Sequence, residues 1–319
     1  MKPLAAFLLI QAPIWAAGAA NRPARNPIVR VVTLSTDGLT DQPGDEIRKD
    51  ALERLEQAAA FRPDIACLPE TFARTAAEPV PGPTTELLAA WARRHSGYVI
   101  AGIKRSSGGR TYNTAVLLDR EGRLVGQFDK IHPTEEELAG GIAPGDPEPA
   151  VFDTDFGRIG IQICFDVNWW DNWKRLKAKG AKIVFFPAAY PAARQLSAIA
   201  LMNQFFVVSS AGTRSSRIYD ITGEVLAASG TYQQWAGAAI PLGRRLFEID
   251  FHTDKARKIL QKYGPKVDLR WYHEDDWFTL ASLDPDLTVE DLEKEFGLMP
   301  LDDYRVRAAK AVEAARQTK

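Results

Sequence analysis

Residues 157–166, Gly-Arg-Ile-Gly-Ile-Gln-Ile-Cys-Phe-Asp, decide how the rest of the chain is interpreted. The stretch is apolar and contains β-branched residues, which predicts a buried strand, and it stops at Cys164. Residues 168–179 then predict a helix that Gly180 ends. A cysteine between a buried strand and a helix N-terminus is well placed for a nucleophile, because the helix field favours the thiolate. A free cysteine is also often a small buried hydrophobe, and this stretch alone favours that interpretation.

Composition limits the classes of protein that the chain can represent. Its 319 residues, 45% of them hydrophobic, suffice for one large α/β domain or two small ones. The net charge of −1 provides no broad basic field for a nucleic acid. Two cysteines, Cys67 and Cys164, cannot build a disulfide framework. The four histidines lack the spacing of metal ligands, so we expect no metal site.

The first 20 residues have the pattern of a secretory signal peptide. Lys2 forms a positive n-region, residues 4–17 form an apolar h-region, and residues 17–19 are a small-x-small cleavage site. The apolar run is short for a membrane span, and an uncleaved N-terminal anchor is the alternative. We therefore expect an exported protein, periplasmic or secreted. In such a compartment, two unpaired cysteines suggest that at least one is kept for chemistry.

Residues 21–240 carry the alternating pattern of an α/β domain core. A β-α-β-α-β start is followed by hairpins, which predicts a mixed sheet. Predicted strands cover 28–35, 64–68, 98–103, 111–118, 123–128, 151–154, 158–163, 181–186, 205–210, 217–220 and 224–228. Predicted helices cover 45–61, 84–95, 168–179 and 193–204. Polar residues 133–149 are predicted as a functional loop without regular structure.

Residues 241–319 form a predicted C-terminal extension in which the pattern weakens. It is expected to be mainly helical, with helices over 254–263, 288–296 and 304–316. Four aromatic residues cluster in sequence within it: Trp271, Tyr272, Trp277 and Phe278. We interpret this cluster as packing of the extension onto the core or onto a second subunit.

Three reactive side chains lie where predicted strands end. Glu70 follows the strand over 64–68, Lys130 follows the strand over 123–128, and Cys164 ends the quoted stretch. Strand ends that are far apart in sequence can converge at one edge of a sheet. These residue types suit acyl transfer, in which a thiolate attacks, a carboxylate moves the proton and an ammonium stabilises the oxyanion. The chemistry makes the combination plausible, but spacing alone leaves it open.

Four short motifs resemble the nitrilase (carbon–nitrogen hydrolase) superfamily. Residues 68–71, Leu-Pro-Glu-Thr, are similar to its catalytic glutamate motif, and residues 112–115, Tyr-Asn-Thr-Ala, to its Tyr-Asn strand. Residues 129–132, Asp-Lys-Ile-His, are similar to its lysine motif, and residues 160–166 to its nucleophile motif. Their order is that of the family, over about residues 28–228.

This resemblance implies a four-layer α-β-β-α sandwich of two mixed sheets between helices, and association into a homodimer or higher homo-oligomer. It implies that Glu70 is the general base and acid, Lys130 the oxyanion stabiliser and Cys164 a nucleophile that forms a thioester. A second glutamate that positions the first is expected after the lysine. Glu137 is our choice and Glu135 the runner-up. The resemblance implies no metal or organic cofactor.

Further residues are expected around the reacting atoms. The Phe165 N–H is expected to assist at the oxyanion. Tyr112, Asn113, Trp169 and Tyr190 are expected in the substrate pocket. The family commonly carries an Arg-Ala-x-Glu-Asn run where residues 200–204 read Ala-Leu-Met-Asn-Gln, so any contact made by the missing Arg and Glu is absent here.

The expected reaction is hydrolysis of a non-peptide C–N bond in a linear amide or carbamoyl compound, with release of ammonia or an amine. Nitrile hydrolysis by the same triad is the alternative, and no residue decides between these small-molecule substrates. A catalytically silent secreted scaffold of the same fold is the alternative from another class of protein. A papain-like thiol hydrolase is remote, because only His252 and His273 follow Cys164, both in weakly patterned regions.

Overall fold

The computed structural model describes residues 28–39 and 42–317. The predicted signal peptide, residues 1–20, lies outside these ranges. No helix within them is both long enough and apolar enough to cross a membrane.

The described chain contains sixteen strands and eight α-helices. The strands are β1 Ile28–Leu34, β2 Ile65–Cys67, β3 Tyr98–Ser107, β4 Arg110–Leu118, β5 Leu124–Asp129, β6 Ile142–Ala143, β7 Val151–Thr154, β8 Gly157–Ile161, β9 Ile183–Ala188, β10 Phe206–Ala211, β11 Arg217–Tyr219, β12 Val225–Ala228, β13 Trp235–Pro241, β14 Arg245–Glu248, β15 Val267–Tyr272 and β16 Trp277–Ser282. The helices are α1 Gly44–Ala58, α2 Pro83–His95, α3 Glu135–Ala139, α4 Trp170–Ala178, α5 Ala193–Asn203, α6 Thr253–Tyr263, α7 Val289–Phe296 and α8 Leu301–Gln317.

Two mixed sheets face each other and helices cover their outer sides. The first sheet has the order β13-β1-β2-β3-β4-β5, with β6 paired to β4. The second has the order β12-β11-β10-β9-β8-β7. Helices α1 and α2 pack on the first sheet, and α4 and α5 on the second. The predicted four-layer α-β-β-α sandwich is therefore confirmed.

The alternation of side chains along β1 explains why the layers form. Val29 and Val31 join the core between the sheets, whereas Val32 and Leu34 join the core under α1 and α2. Successive residues of a strand point to opposite faces, so a strand with apolar residues on both faces must be covered on both sides. Although Arg30 and Thr33 interrupt it, β1 has apolar residues on both faces, and a second sheet covers one face while helices cover the other.

Buried hydroxyl groups connect the two sheets near the site. Thr33 Oγ1 donates a hydrogen bond to the Ser209 carbonyl at 2.7 Å. Ser210 Oγ lies 2.7 Å from the Leu34 carbonyl and 2.9 Å from the Cys67 carbonyl. Because buried polar groups are costly when unpaired, these hydrogen bonds fix the relative position of the two sheets.

One local prediction was wrong. Residues 133–149 are not without regular structure, since they contain the short helix α3 and the strand β6. The helix predicted over 168–179 is α4, which covers Trp170–Ala178. A 3-10 turn covers Cys164–Asn168, so Cys164 lies on the turn between β8 and α4, as predicted.

The extension contains a sheet that the sequence did not reveal. Strands β14, β16 and β15 form a three-stranded antiparallel sheet, and α6 and α7 share a separate apolar core with it. The alternation of β15, in which Asp268 and Arg270 stand between apolar residues, was available in the sequence, but only helices were predicted here. The extension contacts the core through a buried ion pair between Arg244 and Asp220, 2.5 Å apart, and through the apolar side chains of Leu246 and Leu301.

Candidate active site

Glu70, Lys130 and Cys164 meet in one cavity although they come from both sheets. Glu70 lies just past β2 and Lys130 just past β5 in the first sheet, whereas Cys164 lies past β8 in the second. Lys130 Nζ is 2.8 Å from Glu70 Oε1. The side chains of Lys130 and Glu70 are only 2% and 6% exposed, so their attraction is little screened by water.

Glu137 completes a buried charge network. Its Oε2 accepts a hydrogen bond from Lys130 Nζ at 2.7 Å, and its Oε1 accepts one from Asn113 Nδ2 at 2.8 Å. Asn113 Nδ2 also donates to Glu70 Oε1 at 2.7 Å. Among the described residues, Glu137 lines the cavity, whereas Glu135 does not and is exposed.

The helix α3 holds Glu137 in place by its own capping. The Glu137 N–H donates to Thr134 Oγ1 at 3.2 Å, and the Thr134 N–H donates to Glu137 Oε2 at 2.8 Å. This reciprocal pair is a capping box, which satisfies two amides that the first turn leaves open. A Thr-x-x-Glu signal at residues 134–137 was thus available in the sequence.

The Cys164 backbone has a left-handed conformation, with φ of 46°. Non-glycine residues adopt this region rarely, and they do so most often at functional sites. Burial raises the pKa of the Cys164 thiol above its usual value, and the negative charge of Glu70 raises it further. The positive charge of Lys130 opposes both effects without cancelling them. A thiolate at Cys164 stabilised by a helix field therefore stays a prediction.

Charges around Lys130 keep the network ionised. Burial alone would lower the pKa of Lys130, but the negative charge of Glu70 and the hydrogen bonds to Glu137 and Glu70 raise it well above its usual value. Burial would raise the pKa of Glu137, but hydrogen bonds from Lys130, Thr134 and Asn113 lower it below its usual value. An ammonium and a carboxylate thus stand beside Glu70 at neutral pH.

Asp166 connects the segment after Lys130 to the turn that carries Cys164. Its fully buried carboxylate accepts hydrogen bonds from the His132 N–H at 2.8 Å and the Ile163 N–H at 3.1 Å. His132 Nδ1 lies 2.9 Å from the same carboxylate. Asp166 is the last residue of the motif at residues 160–166, but no role was predicted for it from the sequence.

Gly102 is a site residue that the sequence analysis missed. A Cβ at this position of β3 would lie 2.5 Å from Glu70 Cα and 2.7 Å from Thr71 N, closer than real contacts allow. Only glycine lets β3 approach the backbone of Glu70 so closely. A lone glycine inside a strand pattern was the available signal.

The cavity around the reacting groups measures about 420 Å³. Thr71, Lys104 and Ile142 help to line it, together with Ala189. Its volume suits a small organic molecule. Within the described ranges, no cluster of His, Cys, Asp or Glu side chains has the arrangement that would hold a metal ion.

The other predicted pocket residues lie at different places. Asn113 lines the cavity, whereas Tyr112 packs under the guanidinium of Arg105 at 4.6 Å. Phe165 and Trp169 are partly exposed and contact each other edge to face. Trp169 stacks on His132 with ring centroids 3.5 Å apart.

Tyr190 also lies outside the walls of this cavity. It follows Ala189, a wall residue, and lines a neighbouring recess. Asn113 is thus the one member of the group Tyr112, Asn113, Phe165, Trp169 and Tyr190 that the described structure places in the cavity wall.

Known proteins resemble this chain in sequence and in structure. The omega-amidase NIT2-A of Xenopus laevis is 30% identical, with 61% of this chain and 84% of the relative covered. The omega-amidase NIT2 of Homo sapiens is 28% identical, with 61% and 82% covered. Nit3 of Saccharomyces cerevisiae, a member of branch 10 of the nitrilase superfamily, matches with a TM-score of 0.60 at 18% identity, covering 67% of this chain and 90% of that one. An amidase from Nesterenkonia sp. matches with a TM-score of 0.59 at 16% identity, covering 78% and 100%.

A family model decides the assignment. Residues 44–245, more than half of the 319, match the carbon–nitrogen hydrolase family. The amidase relatives agree with this match. The chain therefore belongs to the carbon–nitrogen hydrolase family, as an amidase-like enzyme of the nitrilase superfamily.

Proposed function

We propose that the enzyme hydrolyses a linear amide through a thioester on Cys164 and releases ammonia or an amine. One observation carries the proposal: Cys164 lines the same cavity as a carboxylate and an ammonium that are 2.8 Å apart. These groups are the nucleophile, the proton carrier and the cation that acyl transfer requires.

In the first step, Cys164 Sγ attacks the amide carbon while its proton passes to the carboxylate of Glu70. Because the pKa of the thiol is raised, attack and proton transfer belong together, and a free thiolate need not accumulate. The carbonyl oxygen becomes an oxyanion. The Lys130 ammonium and the Phe165 N–H stabilise it in this proposal.

In the second step, the C–N bond breaks and Glu70 returns the proton to the leaving nitrogen. The acyl group stays on Cys164 as a thioester. Water then attacks this thioester while Glu70 takes a proton from the water. The C–S bond breaks, the sulfur regains its proton, and a carboxylic acid leaves. The proton carrier is the same in both halves, as microscopic reversibility suggests.

Glu137 and Asn113 act as positioning residues in this scheme. They bind Lys130 and Glu70 without reaching the substrate carbon: Glu137 contacts Nζ at 2.7 Å, and Asn113 contacts Glu70 Oε1 at 2.7 Å. Their hydrogen bonds hold the Glu70 carboxylate and the Lys130 ammonium each in one rotamer. Such support is what a preorganised site needs.

Amides are preferred to nitriles and carbamoyl compounds because the named relatives are amidases. In a protein of the same fold, the amidase from Nesterenkonia sp. AN1, the acetamide moiety of fluoroacetamide adds covalently at the active site cysteine. That chemistry agrees with a nucleophilic Cys164 here.

The test is an ammonia-release screen over amides, carbamoyl compounds and nitriles. We expect turnover of at least one amide, and none by Cys164→Ala or Cys164→Ser. Cys67→Ala is the matched control, since Cys67 is the other free cysteine and is buried outside the cavity. Thermal unfolding must be cooperative in all variants. Undiminished turnover by Cys164→Ala overturns the assignment, and silence of the wild type on all three classes favours the scaffold alternative.

We also propose that the protein is exported and forms a homo-oligomer. Export rests on the n-region, h-region and cleavage pattern of residues 1–20. N-terminal sequencing of the mature protein tests it: a start near residue 20 is expected, and an intact Met1 in the soluble cell fraction contradicts cleavage. Light scattering of the purified protein tests the oligomer, and a monomeric mass contradicts it.

A further inference from the structure

A second recess, of about 470 Å³, lies next to the active-site cavity and is strongly basic. Arg194, Arg214 and Arg217 line it, and no Asp or Glu does so among the described residues. None of the three guanidinium groups forms an ion pair with an acid in the ranges that the structure describes. The whole chain has a net charge of −1, so this local excess of positive charge is not a general property of its surface.

The recess adjoins the site of the proposed reaction through one residue. Tyr190 lines the recess, and the preceding Ala189 lines the active-site cavity. Thr213, which precedes Arg214, also contacts the wall residue Ala189, since its Oγ1 donates to the Ala189 carbonyl at 2.9 Å. A substrate attached at Cys164 can therefore extend past Tyr190 toward the three arginines.

The backbone of Arg214 beside the recess is held by hydrogen bonds. Arg214 has a left-handed backbone, with φ of 60°, and two hydrogen bonds hold it: its N–H donates to Asp37 Oδ1 at 2.9 Å, and its carbonyl accepts from Ser35 Oγ at 2.7 Å. The first turn of α5 also lines the recess, and no side chain caps this helix. Uncapped amides and the helix field add to the attraction for negative charge.

Three guanidinium groups exceed what one carboxylate needs, since a single arginine binds a carboxylate through two parallel hydrogen bonds. A tetrahedral oxyanion offers three terminal oxygens to these donors, either as a phosphate ester with up to two charges or as a sulfate ester with one charge.

We propose that this recess binds a phosphate or sulfate group at the far end of the amide substrate. The substrate assignment rests on the proposed amidase function. The binding of the oxyanion itself does not, and it can be measured without turnover. Phosphate and sulfate share the required chemistry, and substrates that carry each group distinguish the two.

Binding is tested first with inorganic phosphate and inorganic sulfate, by calorimetry and by the shift in thermal unfolding. We expect either ion to bind the wild type, and binding should weaken as ionic strength rises, since salt screens contacts between charged groups. Arg214→Gln should weaken binding about tenfold or more, the loss of one charge-assisted contact. Arg316→Gln, at the end of α8 and outside both cavities, is the matched control and should bind like the wild type. Equal binding by wild type and Arg214→Gln overturns the proposal.

Turnover is tested with a series of amides that share one chain and end in phosphate, sulfate, carboxylate or hydroxyl. We expect kcat/KM to be at least tenfold higher for the phosphate or sulfate compound than for the hydroxyl compound, and Arg214→Gln to remove that preference while changing the hydroxyl compound less than twofold. Equal rates for the carboxylate compound and for the phosphate and sulfate compounds overturn the claim that the recess prefers a tetrahedral oxyanion. If the ions bind the wild type and not Arg214→Gln, yet no amide is hydrolysed, the amidase proposal fails and the oxyanion site stands.

Discussion

Replacing Glu137 by glutamine tests the charge network more sharply than any deletion. The carboxylate accepts hydrogen bonds on both oxygens: Oε2 from Lys130 and the Thr134 N–H, and Oε1 from Asn113. A glutamine has one acceptor oxygen and one NH₂ group. Whichever way its amide turns, the NH₂ group faces a donor, so at least one contact is lost.

Rotation of Asn113 cannot repair this loss. Turning its amide would offer Oδ1, a buried atom with no partner among the described residues, to the new NH₂ group. The same turn would point Oδ1 at Glu70 Oε1, where Nδ2 now donates at 2.7 Å. Either arrangement therefore leaves one buried polar contact between groups that repel.

The expected effect follows from the charge of the lost contact. A hydrogen bond to a charged group contributes about 1.5–3 kcal/mol, which corresponds to about ten- to hundredfold in kcat/KM. Loss of the Glu137 charge also leaves Glu70 as the one carboxylate that pairs with Lys130 among the described residues. We therefore expect the loss mainly in kcat, with KM little changed.

The assay is ammonia release with the best amide of the screen, with unfolding measured in parallel. Glu135→Gln removes the same charge from the same helix at an exposed position outside the cavity, and it is the matched control. We expect it to retain wild-type kcat/KM within twofold. If Glu137→Gln keeps its rate, or if Glu135→Gln falls as far, the reasoning about the network is refuted.

Three further predictions concern the framework of the site. Gly102→Ala should displace Glu70 and lower kcat at least tenfold, because the new Cβ would lie 2.5 Å from Glu70 Cα. Gly230→Ala is the control and should keep its kcat, because there is open space around Gly230. Equal kcat values for the two variants would show that the close approach at Gly102 does not position Glu70. Asp166→Asn should lower the free energy of unfolding by about 1–3 kcal/mol in denaturant titrations, because an NH₂ group replaces an oxygen that accepts hydrogen bonds from backbone amides. The same substitution should lower kcat. An unchanged unfolding midpoint would contradict this role of Asp166. Burial raises the pKa of Cys67 well above its usual range, so the unfolded thiol ionises first, and the stability of the native state should fall as pH rises above about 8.5. Cys67→Ala should reduce that slope by up to about 1.4 kcal/mol per pH unit, and an unchanged slope in urea titrations from pH 8 to 10 would contradict the burial of this thiol.

The residue pattern predicted a mixed sheet, and the four layers were predicted from the resemblance to the nitrilase superfamily. The strand pattern also placed Glu70, Lys130 and Cys164 where predicted strands end. The helix α3 was missed because five residues give too little periodicity, although its capping signal at residues 134–137 was present. The sheet of the extension was missed because its partners are set by tertiary packing, which outweighs strand propensity.

The site was predicted less completely than the fold. Residue types identified the groups that react, but the ionisation of Cys164 depends on burial and on Glu70, which only coordinates reveal. The contact between Gly102 and Glu70 joins residues that are distant in sequence, so their spacing along the chain does not predict it. Pocket walls were the least predictable, since Trp169 stacks on His132 and Tyr190 lines the neighbouring recess.

The central claim is that Cys164 carries the acyl group during turnover. The direct measurement is mass spectrometry of enzyme quenched in acid during hydrolysis of the best amide, followed by peptide mapping. We predict that the mass of the acyl group appears on the peptide that contains Cys164, that it disappears when substrate is exhausted, and that it is absent from Cys164→Ala. Continued turnover with no acyl adduct on that peptide, or an adduct on Cys67 in its place, would contradict the account.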